Sequence, residues 1–138
     1  MTHYQEILDV QTSGKSFSNV THYVQEVVKN SGIKTGICHL FLRHTSASLI
    51  IQENADPDVL RDLENFLSKL VPEGNHYIHD AEGLDDMPAH IRTVLTHTSE
   101  QIPISQGRLL LGTWQGIYLW EHRRHRHSRE LVVHIMGE

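Results

Sequence analysis

Three apolar runs close the chain, Arg108–Trp114, Ile117–His122 and Glu130–Met136, and the gaps between them are too short to hold a crossover helix. Parallel neighbours in a sheet require such a crossover, so these runs are expected to pair antiparallel through consecutive hairpins. The bend between the first two, Gly112-Thr113-Trp114-Gln115-Gly116-Ile117, carries more chemistry than a turn requires. Glycines serve the turn; a tryptophan and a glutamine between them suggest a site. A parallel, doubly wound fold is thereby disfavoured.

Upstream, strands alternate with helices. Tyr4–Gln11 reads as a first strand ended by Thr12-Ser13-Gly14. Ser18 can cap a helix that places Val20, Tyr23, Val24, Val27 and Val28 on one face, and Asn30-Ser31-Gly32 stops it. Thr35–Arg43 is apolar almost throughout, as a central strand would be, and Ser48–Glu53 is a second strand. Asp56-Pro57 opens the clearest helix, with an acid at the N-cap and proline where its missing N–H costs nothing. Its stripe is Val59, Leu60, Leu63, Phe66, Leu67 and Leu70, and Pro72-Glu73-Gly74-Asn75 ends it. The polar stretch His76–Pro88 reads as a functional loop, and a short helix from Pro88 to Leu95 would bury Ile91, Val94 and Leu95. Two longer helices, one short helix and a mainly antiparallel sheet make an α+β protein.

A chain of 138 residues without repeats, low-complexity tracts or linkers is expected to form one domain over residues 1–138. No apolar run is long enough for a membrane span, and the first residues lack the apolar core of a secretory signal. With a lone cysteine, Cys38, there is neither an intramolecular disulfide nor a multi-cysteine zinc motif, so a cytoplasmic setting is expected. The net charge of −5 opposes general nucleic-acid binding. That charge is uneven: acids crowd Asp80–Asp86, while His122–Arg129 holds four arginines and three histidines. The arrangement suits a small anionic ligand better than a long polyanion.

Twelve histidines, several beside carboxylates, direct attention to metal and acid–base chemistry. His79 lies in the irregular loop, and Asp86 precedes His90 by one helical turn, so the three can converge on a divalent metal such as zinc or magnesium. The alternative is a set of solvated loop residues with Asp86 as a helix cap. His44 ends a buried strand and is placed for proton transfer or for holding an oxyanion. The hydroxyls of Thr45, Ser46 and Ser48 after it serve the bend's backbone groups more readily than they serve as nucleophiles. Glu53 at a strand end and Asp62 on a helix face are candidate bases, each equally readable as an exposed carboxylate. Glu121 either shares a buried face with Ile117 and Leu119, where it needs a cation, a metal or hydrogen-bond donors, or faces solvent with Tyr118 and Trp120 inward. In the basic turn, Arg129 is the residue anchored well enough to bind a phosphate.

Taken together, several segments resemble the YjbQ family, the former UPF0047 group, also called secondary thiamine-phosphate synthase. They are His44-Thr45-Ser46-Ala47-Ser48, Glu53-Asn54-x-Asp56-Pro57, His79-Asp80, Asp86-x-Pro88-x-His90, Gly107-Arg108 and Gly112-Thr113-Trp114-Gln115-Gly116-Ile117. Glu121-His122-Arg123 and the Gly137-Glu138 ending are similar to the enterobacterial branch. The resemblance implies a sandwich-like α+β fold, a homotrimer with polar pockets near subunit contacts, and a weak, secondary thiamine-phosphate synthase activity. The family pattern falls on His44, Glu53, Asp62, His79, His90, Gln115 and Glu121, with Asp86 standing where asparagine is usual.

That activity would join hydroxymethylpyrimidine diphosphate to thiazole phosphate and release diphosphate. The expected assignment gives a divalent metal to His79, His90 and Asp86, phosphate to Arg129, and ring stacking to Trp114 beside Gln115. A proton goes to His44, and Glu53, Asp62 and Glu121 act as bases or support the ligands. Two other readings use the same residues: a metal-dependent hydrolase of a small phosphorylated or amide compound, and a trimeric, non-catalytic ligand- or metal-binding protein.

Overall fold

The computed structural model describes residues 1–74 and 76–138; Asn75, the last residue of the expected helix stop, lies outside the described residues. Eight strands and three helices follow in the order β1 (Thr2–Ser13), β2 (Ser16–Asn19), α1 (Thr21–Ser31), β3 (Gly36–Leu42), β4 (Ala47–Glu53), α2 (Pro57–Leu70), α3 (Asp86–Leu95), β5 (Ser99–Ser105), β6 (Arg108–Leu109), β7 (Gln115–Glu121) and β8 (Arg126–Gly137). They form a five-stranded sheet, β1-β8-β3-β5-β6, and a three-stranded sheet, β2-β7-β4. Every strand pair is antiparallel, and the class is α+β as expected.

One core lies between the sheets. It joins Cys38, Leu40, Leu42, Leu131, Val133 and Ile135 of the larger sheet to Leu49, Ile117 and Leu119 of the smaller, with Val24, Val27 and Val28 of α1. The outer face of the smaller sheet is covered by α2, where Leu67 meets Ile50, Tyr118 and Trp120. Strand β7 is thus buried on both faces, the period-2 alternation sending Ile117 and Leu119 one way and Tyr118 and Trp120 the other. Both orientations weighed for Glu121 therefore lead inside.

The consecutive hairpins do not form. Strand β6 pairs with β5 in the larger sheet, whereas β7 pairs with β2 and β4 in the smaller and β8 with β1 and β3. The Gly112–Gln115 turn is real, closed by the Gln115 N–H on the Gly112 oxygen at 3.1 Å, but it crosses between sheets. Chain spacing is the same for both connections, so only the two-sided burial of β7 decides between them.

Helix α2 starts as expected, with the Asp56 carboxylate accepting the Asp58 N–H at 2.9 Å and Pro57 in the first turn. Its stripe is only partly used: Leu67 is buried, whereas Phe66 is 65% exposed and Leu70 is exposed as well. Ser18 does not cap α1, because it belongs to β2; the Asn19 Oδ1 instead accepts the Thr21 N–H at 3.1 Å. Gly32 ends α1 in the left-handed region at φ 71°. Tyr23, expected on the buried face of α1, is exposed. At Gly36 the chains pass so closely that a Cβ would lie 2.1 Å from the Met136 oxygen.

Helix α3 reverses its expected face. Val94 is 82% and Leu95 55% exposed, while Asp86, Pro88, Ala89, Arg92 and Thr93 are buried. Charge pairing accounts for this: Arg92 Nη2 donates to Glu64 Oε2 at 2.6 Å, beneath the Trp120 ring. Trp120 Nε1 donates to the other Glu64 oxygen at 3.1 Å. A buried guanidinium is tolerable only with such a partner.

Candidate functional site

His79, Asp86 and His90 come together, with one ligand atom from each lying within 4.8 Å of the others. The helix supplies half of this arrangement, since Asp86 and His90 are one turn apart on α3. The loop before it folds His79 back, so that His79 Nε2 donates to Asp86 Oδ2 at 2.7 Å, with His90 Nε2 3.3 Å from the same oxygen. His90 Nδ1 donates to the Thr45 carbonyl at 2.8 Å, which leaves the Nε2 lone pair turned inward. Asp86 is held from behind: its Oδ1 accepts Arg123 Nη1 at 2.7 Å, leaving Oδ2 to the histidines. Burial alone would raise the Asp86 pKa, but the His79 bond first, then Glu82, His90 and Arg123, hold it below the usual carboxylate range. Glu82 adds a carboxylate oxygen 3.4 Å from His79 Nε2.

Two imidazoles and a carboxylate, with His90 and Asp86 fixed on their far sides, are a donor set that suits a zinc-like cation. Arg123 offsets the charge that Asp86 brings to the group.

His44 joins the same region. With Phe41, Thr45, His90, Thr93 and Val94 it lines a cleft of about 530 Å³. Its Nε2 accepts the Glu130 N–H at 2.7 Å, so the ring proton sits on Nδ1, 3.4 Å from Arg129 Nη1. Two donors face each other there, and burial together with the Arg129 charge pushes the His44 pKa down. His44 is a neutral imidazole whose Nδ1 proton faces Arg129.

Glu121 and Arg129 form a buried pair rather than a base and a phosphate ligand. Arg129 Nε donates to Glu121 Oε1 at 2.7 Å and its Nη2 to Oε2 at 2.5 Å, while Thr12 Oγ1 adds a bond at 2.7 Å and the Arg123 N–H one at 3.0 Å. Burial raises the Glu121 pKa, but these donors outweigh it and hold the carboxyl below its ordinary range. Arg129 Nη2 also donates to Ser46 Oγ at 3.0 Å. Little of the guanidinium is left to bind an anion.

Of the remaining expected residues, none joins this group. Glu53 Oε2 accepts the Asp56 N–H at 2.8 Å, a turn-closing role, and Asp62 is exposed on α2. Trp114 is 64% exposed, and the Gln115 side chain closes the Gly112 turn. Gln115 and Glu121 stand at opposite ends of β7, six residues apart, which at ~3.3 Å per residue is roughly 20 Å. One chain therefore does not gather all the expected residues into one cavity.

Residues that sequence reasoning passed over do the positioning. Arg123 binds Asp85 Oδ2 at 3.0 Å as well as Asp86, and Arg124 binds Glu73 at 2.8 Å. The acidic and basic blocks thus neutralise each other, which the uneven charge distribution could have suggested. Ser48 and His122 form a second unanticipated pair at 2.9 Å, both fully buried, and burial pushes the His122 pKa down to about 2.

The family model described as UPF0047 protein YjbQ-like matches residues 6–138. A UPF0047 protein of Synechocystis is 64% identical over 136 residues, covering 98% of this chain and 92% of that protein. The UPF0047 protein YjbQ of Escherichia coli O157:H7 is 42% identical, covering 98% and 99%. Among solved structures, an uncharacterized conserved protein of the YjbQ/UPF0047 family from Clostridium acetobutylicum superposes with a TM-score of 0.84 at 39% identity, covering 96% of this chain and 98% of that one. A YbjQ-like protein of unknown function from Sulfolobus solfataricus gives a TM-score of 0.87 at 26% identity, covering 99% and 100%. This chain belongs to the YjbQ (UPF0047) family.

Proposed function

We infer that this chain is a divalent-metal-dependent enzyme acting on a small phosphorylated molecule, with its metal held by His79, Asp86 and His90. The convergence of those three ligand atoms, with Thr45 and Arg123 orienting two of them, is the observation that carries this reading. A nitrogen-rich donor set points to zinc rather than magnesium. The cation would supply Lewis-acid stabilisation of negative charge developing on a phosphoryl oxygen. His44, which lines the same cleft as His90, would hold or pass a proton for a departing or developing oxyanion.

The family resemblance supports a weak, secondary thiamine-phosphate synthase activity, in which an aminopyrimidine diphosphate and a thiazole phosphate join and diphosphate departs. Hydrolysis of one phosphorylated or amide compound is a second reading: Arg123 and Arg129 are committed to carboxylates, which leaves Arg43, lining the cleft with His90 and 3.5 Å from Glu130, as the cation nearest to hold a single phosphate. A homotrimer is supported by apolar side chains on the outside of the larger sheet, Ile7, Ile37 and Phe41. The buried thiol of Cys38 fits a reducing, cytoplasmic setting.

Calorimetric titration with zinc tests the centre. His90→Ala should weaken binding by at least ~10–100-fold while leaving the fold intact by circular dichroism. Unchanged zinc affinity in a folded variant would remove the metal from this reading. Product analysis separates the reactions: a synthase consumes both substrates and releases diphosphate, a hydrolase consumes one.

A further inference from the structure

A second, more spacious cleft lies elsewhere. It runs along α1 toward the β5–β6 hairpin, has a volume of about 910 Å³, and shares no lining residue with the metal ligands or with the cleft of His44. Lys29, Lys34 and Arg108 line it, with His22, and no aspartate or glutamate does. In a chain of net charge −5, a concave surface lined by three cations and no acid is a marked departure from the rest. None of the three cations pairs with a carboxylate among the described residues. The Glu138 main-chain oxygen accepts the Lys34 and Thr35 N–H groups, but Glu138 does not line the cleft.

Two further features make it a built cavity rather than a chance gathering of surface lysines. Val28, Ile33, Leu109 and Leu111 give it apolar walls. Its rim is clamped: Gln25 Nε2 donates to the Gly107 oxygen at 3.1 Å, Gln25 Oε1 accepts the Leu109 N–H at 3.1 Å, and the Gly107 N–H reaches the Lys34 oxygen at 3.0 Å. The C-terminal end of α1 contributes about half a negative charge, which three cations outweigh.

We propose that this cleft binds a small organic anion, a phosphate monoester on an apolar body, with the head group between Lys29, Lys34 and Arg108 and the body against the apolar walls. Three positive charges match a dianionic phosphate better than a single carboxylate. The volume falls within the range of small-molecule sites. The proposal stands on the cleft alone and does not depend on the metal reading.

Calorimetry with phenyl phosphate as probe tests it, with inorganic phosphate, phenol and benzoate as comparisons. Phenyl phosphate should bind more tightly than any of the three. The Lys29→Ala/Lys34→Ala/Arg108→Ala variant should lose at least ~10-fold in affinity, while His90→Ala should leave it unchanged. All three cationic side chains are exposed, so the variant is expected to fold, and amide shifts at Gln25 and Gly107 on adding phenyl phosphate give a second readout in the unaltered protein. Equal affinity in the triple variant, or binding lost only in His90→Ala, would overturn the cleft and leave the metal centre standing.

Discussion

His122 should make the fold acid-sensitive well before carboxylates begin to protonate. Its ring is fully buried between Ser48 Oγ at 2.9 Å and the Trp120 ring at 5.0 Å, and its Nδ1 has no hydrogen-bond partner. Burial first, then the charges of Arg92, Lys15 and Arg129, hold its pKa at about 2 against an ordinary value of 6.5. The unfolded chain protonates this ring below about pH 6.5 and the folded chain does not. Its contribution is therefore intact above that pH and is lost as pH falls, by about 1.4 kcal/mol per unit. From about pH 6.5 to about pH 4.5 the loss is about 2.7 kcal/mol, a large share of a typical ~5–15 kcal/mol stability. Urea denaturation across that range, on the parent and on His122→Gln, isolates the effect as a difference in slope near one proton. Parallel slopes would refute the argument. So would an imidazole NMR titration of the unaltered protein showing His122 charged at pH 5.

Other consequences are equally open to measurement. Glu121→Gln should cost about 3–5 kcal/mol by leaving Arg129 buried beside a neutral partner, read by denaturant midpoint, and Glu121→Met with Arg129→Met should recover part of that loss. Val94→Asp should change stability by no more than about 0.5 kcal/mol, because the side chain is 82% exposed; a large loss would contradict the observed face of α3. Cys38, its thiol pushed up to about 12 by burial, should stay unlabelled by a thiol reagent until the protein unfolds.

How much of this was legible depended on whether periodicity and burial agreed. Asp56-Pro57 and its apolar stripe located α2 because capping and pattern act within one segment. Asp86 and His90 were readable as neighbours for the same reason, one helical turn being a local fact. Strand β5 escaped notice because only Ile102 and Ile104 point inward, with Glu100, Gln101 and Pro103 between and around them. The face of α3 was misjudged because an amphipathic reading sends Val94 and Leu95 inward, whereas Glu64 and Arg123 lie on other elements and draw Arg92 and Asp86 in. Arg129 was correctly seen as anchored, but its anchor, Glu121, consumes the charge that phosphate would have needed.

Strand β7 is clamped on both faces and both edges, and its two ends open on different business: Gln115 on the basic cleft, Glu121 on the buried pair behind His44. Such a rod cannot shorten. A small guest lodged at one end stays out of reach of the other, so any chemistry that needs both within a single turnover has to borrow one of them from another copy of the chain.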